Sequence, residues 1–123
     1  MRDTLHSIRN RLDHAGVLLS GLCAVHCVLG IVLVSILGLG GGVLLAPAIH
    51  EAGLALAILV GMVTLGLGVL RHGQIAPLII GAFGIALMAA ALAVGHGVGE
   101  AVLTIAGVAL VAFAHIRNLR HAC

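Results

Sequence analysis

The run "AGVLLSGLCAVHCVLGIVLVSILG", residues 15–38, decides the fold class because no charged side chain interrupts it. A helix needs about 20 mostly apolar residues to cross the hydrocarbon core of a bilayer. The run is also longer than the roughly 7 to 15 apolar residues of a secretion signal, and it carries His26 inside. We therefore interpret it as a membrane-spanning helix of the mature chain.

The composition of the whole chain agrees with this interpretation. It is 62% hydrophobic and 8% charged, with a mean hydropathy of +1.29, whereas a soluble domain is about half apolar and a quarter charged. The formal net charge is only +2 and there is no basic tract, so we expect no nucleic-acid partner. The expected partner is the lipid bilayer.

Three further apolar runs follow the first. The predicted helices cover residues 15–38, 51–70, 76–94 and 100–117, approximately. The connections between them are short, and short connections place successive helices side by side and antiparallel. The sequence therefore predicts an all-α membrane protein: one domain over residues 1–123, built as a four-transmembrane-helix up-down bundle.

The basic residues predict how the bundle is oriented in the membrane. All six are arginines, and they lie before the first helix, in the second connection and after the fourth helix. With four helices these three regions share one side, and cytoplasmic loops carry the excess of Arg. We therefore expect both termini in the cytoplasm, with the first and third connections on the outer side.

Small and polar residues recur at helical spacing on three of the predicted helices. Such faces usually point toward other helices, because lipid offers polar groups no partner. We expect the stripes of the first and fourth helices to meet and the stripe of the third to pack closely. The stripes are Asp13, Gly16, Ser20, Cys23, Cys27 and Gly30; Gly81, Gly84, Met88, Ala91 and Gly95; and Glu100, Thr104, Gly107, Val111, His115 and Asn118.

Cys23, His26 and Cys27 form the chemically distinctive cluster of the first helix. Residues four apart on a helix have Cβ atoms about 5–6 Å apart, and a disulfide needs about 3.5–4.5 Å, so an intact helix disfavours a Cys23–Cys27 bridge. Thiolates select soft ions such as Cu(I) and Zn. The alternative is that each Cys is only a small apolar residue. Together with His26, the pair favours a transient site of two or three metal ligands.

Other polar residues gather at the two predicted ends of the bundle. An outer group of His50, Glu51, His96 and Glu100 can collect a cation, or it can simply solvate helix ends, where glutamates complement the helix dipole. Asp13 and His115 can form an inner site, although His115 can instead extend toward the interface. We expect His6 and His72 to be solvated loop residues and Cys123 to belong to a tail.

These motifs resemble the MerC-type family of mercury-resistance membrane proteins, in the branch written C-x-x-H-C. The resemblance extends over nearly the whole chain. It rests on "LDHAGVLLSGLCAVHCVLG" at 12–30, "HE" at 50–51, "RHG" at 71–73, "LTIAG" at 103–107 and "AHIRNLR" at 114–120. The resemblance implies a four-helix protein of the bacterial inner membrane, and mercuric-ion uptake through a cysteine pair that falls on Cys23 and Cys27.

The residues and the resemblance together predict a metal-handling membrane protein. We expect mercury, zinc or copper to pass from the outer group to Cys23, His26 and Cys27 and then past Asp13 and His115 into the cytoplasm. Two alternatives stay open: a haem-binding electron-transfer protein that uses His26 and His115, and a non-transporting metal-binding or sensor subunit. We expect no enzyme activity and no organic cofactor. Possible partners are further copies of the chain and a periplasmic or cytoplasmic metal-binding protein.

Overall fold

The computed structural model describes residues 1–37, 46–95 and 97–121 and contains four helices and no strand within those ranges. The helices are α1 (Arg2–Leu37), α2 (Pro47–His72), α3 (Ala76–Val94) and α4 (Val98–Arg120). All four are long and apolar enough to cross a membrane. The predicted all-α fold with four spans is thus confirmed.

Three of the predicted helices are longer in the structure than the sequence indicated: α1 and α2 begin earlier, α2 also ends later, and α4 extends at both ends. The largest error is at α1, which begins at Arg2 rather than near residue 15. Its 36 residues correspond to about 54 Å at 1.5 Å per residue, well beyond the roughly 30 Å of a hydrocarbon core. The apolar run marks only the part of α1 that is suited to lipid. The helix extends from that run toward the N-terminus, and in this extension Arg9 and Asp13 are buried.

Contacts between the helices establish an up-down arrangement. Asp13, early in α1, bonds His115, late in α4, and Cys23 lies near Gly53, early in α2. Leu65 of α2 packs on Gly81 of α3. Each helix is therefore antiparallel to the next, and both termini lie at one end of the bundle. We call this the terminal end and the opposite one the far end.

The closest approach between two helices is that of α3 and α4. A Cβ atom added to Gly84 would lie 2.6 Å from the backbone oxygen of Gly107, and one added to Gly107 would lie 2.6 Å from the Gly84 oxygen. The predicted packing face of α3 is confirmed by the burial of Gly81, Gly84, Met88 and Ala91. Gly95 is exposed, because α3 ends at Val94 and Gly95 leaves the helix with a φ of 77°.

Helix α4 contacts all three other helices and packs most extensively on α3 and α1. Its predicted polar stripe is buried along its length. Large aliphatic side chains point outward instead, among them Leu18, Leu59 and Leu70. An apolar exterior around a partly polar interior is the arrangement expected of helices that face lipid.

Candidate metal centre

Three side chains converge between α1 and α2 toward the far end of the bundle. His26, Cys27 and His50 each offer one ligand atom, and these atoms all lie within 4.8 Å of one another. We call this group the outer cluster. Two imidazoles and one thiol are ligands that suit zinc, copper and other thiophilic ions, so the group has the composition and the spacing of a small metal site.

The environment of His50 resembles that of a metal-binding histidine. Its Nε2 lies 3.7 Å from Oε1 of Glu100, a carboxylate buried at the start of α4. Its Nδ1 is buried and makes no hydrogen bond within the described part of the chain. Metal-bound histidines commonly face a carboxylate with one ring nitrogen and the ion with the other. Burying a polar nitrogen without a partner is costly, and an ion bound at Nδ1 would remove that cost.

The outer cluster lines a cavity of about 370 Å³ whose walls come mainly from α1 and α2, with Met88 of α3 and Thr104 of α4. Cys23 lines the same cavity one helical turn from Cys27, and both cysteines are free thiols. Gly53 leaves room for the Cys23 sulfur, which would lie 3.7 Å from a Cβ atom at that position. The cavity can therefore hold a partly hydrated ion beside two thiols and two imidazoles.

The polar stripe of α1 explains how these side chains reach the interior. Asp13, Gly16, Ser20, Cys27 and Gly30 are buried and Cys23 is half-buried, which confirms the predicted face. Ser20 is accommodated there because its hydroxyl donates to the Gly16 carbonyl at 2.9 Å. His26, one position before Cys27, lies at the edge of the stripe and turns toward α2, where its ring centroid is 5.3 Å from that of His50.

A second polar group lies toward the terminal end. His115 Nδ1 is 2.7 Å from Asp13 Oδ1, and Asn118 Nδ2 donates to Asp13 Oδ2 at 2.9 Å. Asn118 Oδ1 in turn lies 2.9 Å from His72 Nε2. We call Asp13, His115, Asn118 and His72 the inner network. Asp13 and Asn118 are 0% exposed, so these contacts replace the solvation that the polar groups lose.

Some predicted site residues are not brought together. Glu51 is exposed, unlike its neighbour His50, which is half-buried, so the predicted outer group reduces here to His50 and Glu100. His96 and Cys123 lie outside the described residues. His26 and His115 do not face each other: His115 packs on Gly16, and His26 is ten residues further along α1, about 15 Å along the axis. The prediction that His26 and His115 face each other across the bundle, which the haem alternative requires, is thus wrong.

Sequence reasoning missed the contribution of α2 to the inner network. His72 belongs to the last turn of α2, is half-buried and bonds Asn118, and so the prediction of a solvated loop residue was wrong. His6 is also helical and contacts Arg71. The signal that could have found it is a spacing of four residues along α2. This spacing places Thr64, Gly68 and His72 on one face of the helix.

The chain matches the profile of the family described as MerC mercury resistance protein over residues 13–120, which include α1 from Asp13 onward and the whole of α2, α3 and α4. Comparisons with curated proteins and with solved structures returned no match.

Proposed function

The chain belongs to the family of MerC mercury resistance proteins, and from that premise we propose that it carries a thiophilic metal ion across a bacterial inner membrane. The transported ion, mercury, zinc or copper, is a substrate that binds the outer cluster on its way through the bundle. The protein works as a multi-pass membrane carrier and not as an enzyme.

The convergence of His26, Cys27 and His50 within 4.8 Å is the observation that carries this proposal. The three residues come from two helices and bring soft and borderline ligands to one point in a largely apolar bundle. The buried Nδ1 of His50 supplies the ligand atom, and Glu100 holds the opposite side of the ring. Cys23 adds a second thiol from the same cavity.

Three ligands hold the ion without enclosing it. A structural zinc site closes around its ion with four protein ligands, whereas a transport site must bind firmly enough to capture the ion and loosely enough to release it. The cavity beside the outer cluster leaves a position for water or for a further thiol. His50 and Glu100, whose Nε2 and Oε1 atoms lie 3.7 Å apart, act as the outer collection point.

The proposed direction of transport follows from the distribution of arginines and from the membrane potential. Cytoplasmic loops carry an excess of basic residues, so the arginines of the terminal end support a cytoplasmic location for that end. The inside-negative membrane potential then drives a cation from the far end toward the terminal end, at about 2.3 kcal/mol per charge per 100 mV. The ion passes Asp13 and His115 before it reaches the cytoplasm.

Dissociation constants of the purified protein for Hg(II), Zn(II) and Cu(I) test the proposed site. Cys27→Ser and His50→Ala should each weaken the binding of the transported ion by about ten-fold or more, because each removes one of few ligands. His14→Ala, which removes an exposed histidine from the terminal half of α1, is the matched control and should bind as the parent does. Unchanged affinity in both site variants would contradict the proposed site.

A measurement of ion flux distinguishes a carrier from a non-transporting metal-binding subunit. Sealed vesicles that contain the protein should accumulate the ion that binds best, and accumulation should increase with an inside-negative potential. Binding without accumulation would identify a buffer or sensor subunit that passes its ion to a partner protein.

A further inference from the structure

Two cavities in the bundle share lining residues, and two of these contain sulfur. Below the outer cavity lies a void of about 10 Å³ that is lined by residues from all four helices. Leu19, Cys23 and Met88 line both spaces. His115 lines only the inner void, on its side toward the terminal end. The chain therefore places a thiol and a thioether between the outer cluster and the inner network.

The imidazole of His115 packs against Gly16 at the edge of this region. Its Nδ1 is bonded to Asp13, and its Nε2 is the ring atom closest to Gly16, 2.5 Å from where a Cβ atom would lie. Gly16 lines the void as well. A carboxylate that accepts the proton of one ring nitrogen leaves the other nitrogen with a free lone pair, as in carboxylate–histidine–metal arrangements.

We infer that Cys23, Met88 and His115 form a second, inner station for the transported soft ion. This inference rests on the proposed function and specifies how the ion leaves the outer cluster. Thiolate, thioether and imidazole are all ligands for soft ions. The void has room for about one water molecule, so an ion can enter it only after losing its water, and the three side chains replace the lost ligands.

The transfer between the stations is a ligand exchange without a redox change. The bonds from the ion to Cys27 Sγ and to the imidazoles of His26 and His50 break. Bonds to Cys23 Sγ, to the thioether sulfur of Met88 and to the imidazole of His115 form in their place. Metal binding requires the thiolate, so Cys23 releases its proton, and the freed Cys27 thiolate takes one up. The charge within the bundle is the same before and after the step. Asp13 positions the imidazole of His115 and does not contact the ion.

A variant that lacks the outer cluster isolates the inner station for measurement. In the Cys27→Ser, His50→Ala background, the purified full-length protein should still bind one Hg(II) per chain through Cys23. Met88→Leu keeps the size of the side chain and removes its sulfur. His115→Asn keeps a donor for Asp13 near the position of Nδ1 and removes Nε2. Each change should weaken Hg(II) binding in this background by about ten-fold.

Met62→Leu is the matched control, because Met62 is 69% exposed on the outer surface of α2, and its affinity should not change. Unchanged affinity for Met88→Leu and His115→Asn, or no binding by the background protein, would overturn the inner station. Failure of the proposed outer site has a different signature, in which Cys27→Ser and His50→Ala have no effect in the otherwise native chain.

Discussion

Gly16 determines whether His115 can lie between α1 and α4. A Cβ atom at this position would be 2.5 Å from His115 Nε2 and 2.7 Å from two ring carbons, closer than real Cβ contacts. The imidazole is fixed on its other side by Asp13 at 2.7 Å, so it cannot move away without losing that bond. The pattern on α1 predicted a small residue facing the interior, but it did not predict which side chain fills the space.

Gly16→Ala should therefore lower the free energy of unfolding by about 1–3 kcal/mol, the range of an overpacked core. Thermal unfolding in detergent measures the change. Gly21→Ala, on the same helix with no atom within 4 Å of its added Cβ, should unfold at the parent temperature or above. Equal stability of the two variants would contradict the tight contact.

Asp13 is the acceptor on which the inner network depends. Asp13→Ala removes the acceptor that His115 and Asn118 share and leaves them only longer contacts with Thr64, at 3.4 Å to Oγ1 and 3.3 Å to the carbonyl oxygen. Weakening the hydrogen bonding of a buried group costs about 1–3 kcal/mol. We expect a clear decrease in unfolding temperature, and a smaller one for Asp13→Asn, which keeps the shape and one acceptor. Asp3→Ala removes an exposed carboxylate from the first turn of α1 and should have little effect. A decrease as large for Asp3→Ala would show that the network is not responsible.

The helices themselves were largely predictable, because lipid requires long apolar runs and these can be read directly. Helix α3 was predicted with its exact limits, Ala76–Val94, since Pro77 marks its start and Gly95 its end. Helix α1 was not, since its first turns are amphipathic rather than apolar. The pairing of His50 with His26 and Cys27 also escaped prediction, since it joins residues on two helices and depends on how far α2 is shifted along α1.

The crossing of α3 and α4 gives a prediction for these two elements. Gly84→Ala should push the helices apart, because its Cβ would meet the Gly107 backbone oxygen at 2.6 Å and backbone cannot rotate away. We expect a lower unfolding temperature in detergent. Gly66→Ala, whose Cβ would meet nothing within 4 Å, is the control on α2. If Gly84→Ala were as stable as Gly66→Ala, the close crossing would be wrong.

At the scale of the whole molecule, the antiparallel order places both termini at the arginine-rich end of the bundle. The rule for basic loops then predicts that this end is cytoplasmic. A fluorescent protein fused after residue 123 should fold and fluoresce in cells, and a periplasmic phosphatase fused there should be inactive. The opposite pair of results would reverse the orientation, and with it the direction of transport.

Uptake of radiolabelled Hg(II) into proteoliposomes at an inside-negative potential tests the central claim most directly. The parent protein and the His14→Ala control should accumulate the ion at similar rates, and Cys27→Ser and His50→Ala should reduce the rate by about ten-fold or more, since each removes a ligand of the outer cluster. Equal uptake by all four proteins, or no uptake above that of empty vesicles, would contradict transport through this cluster.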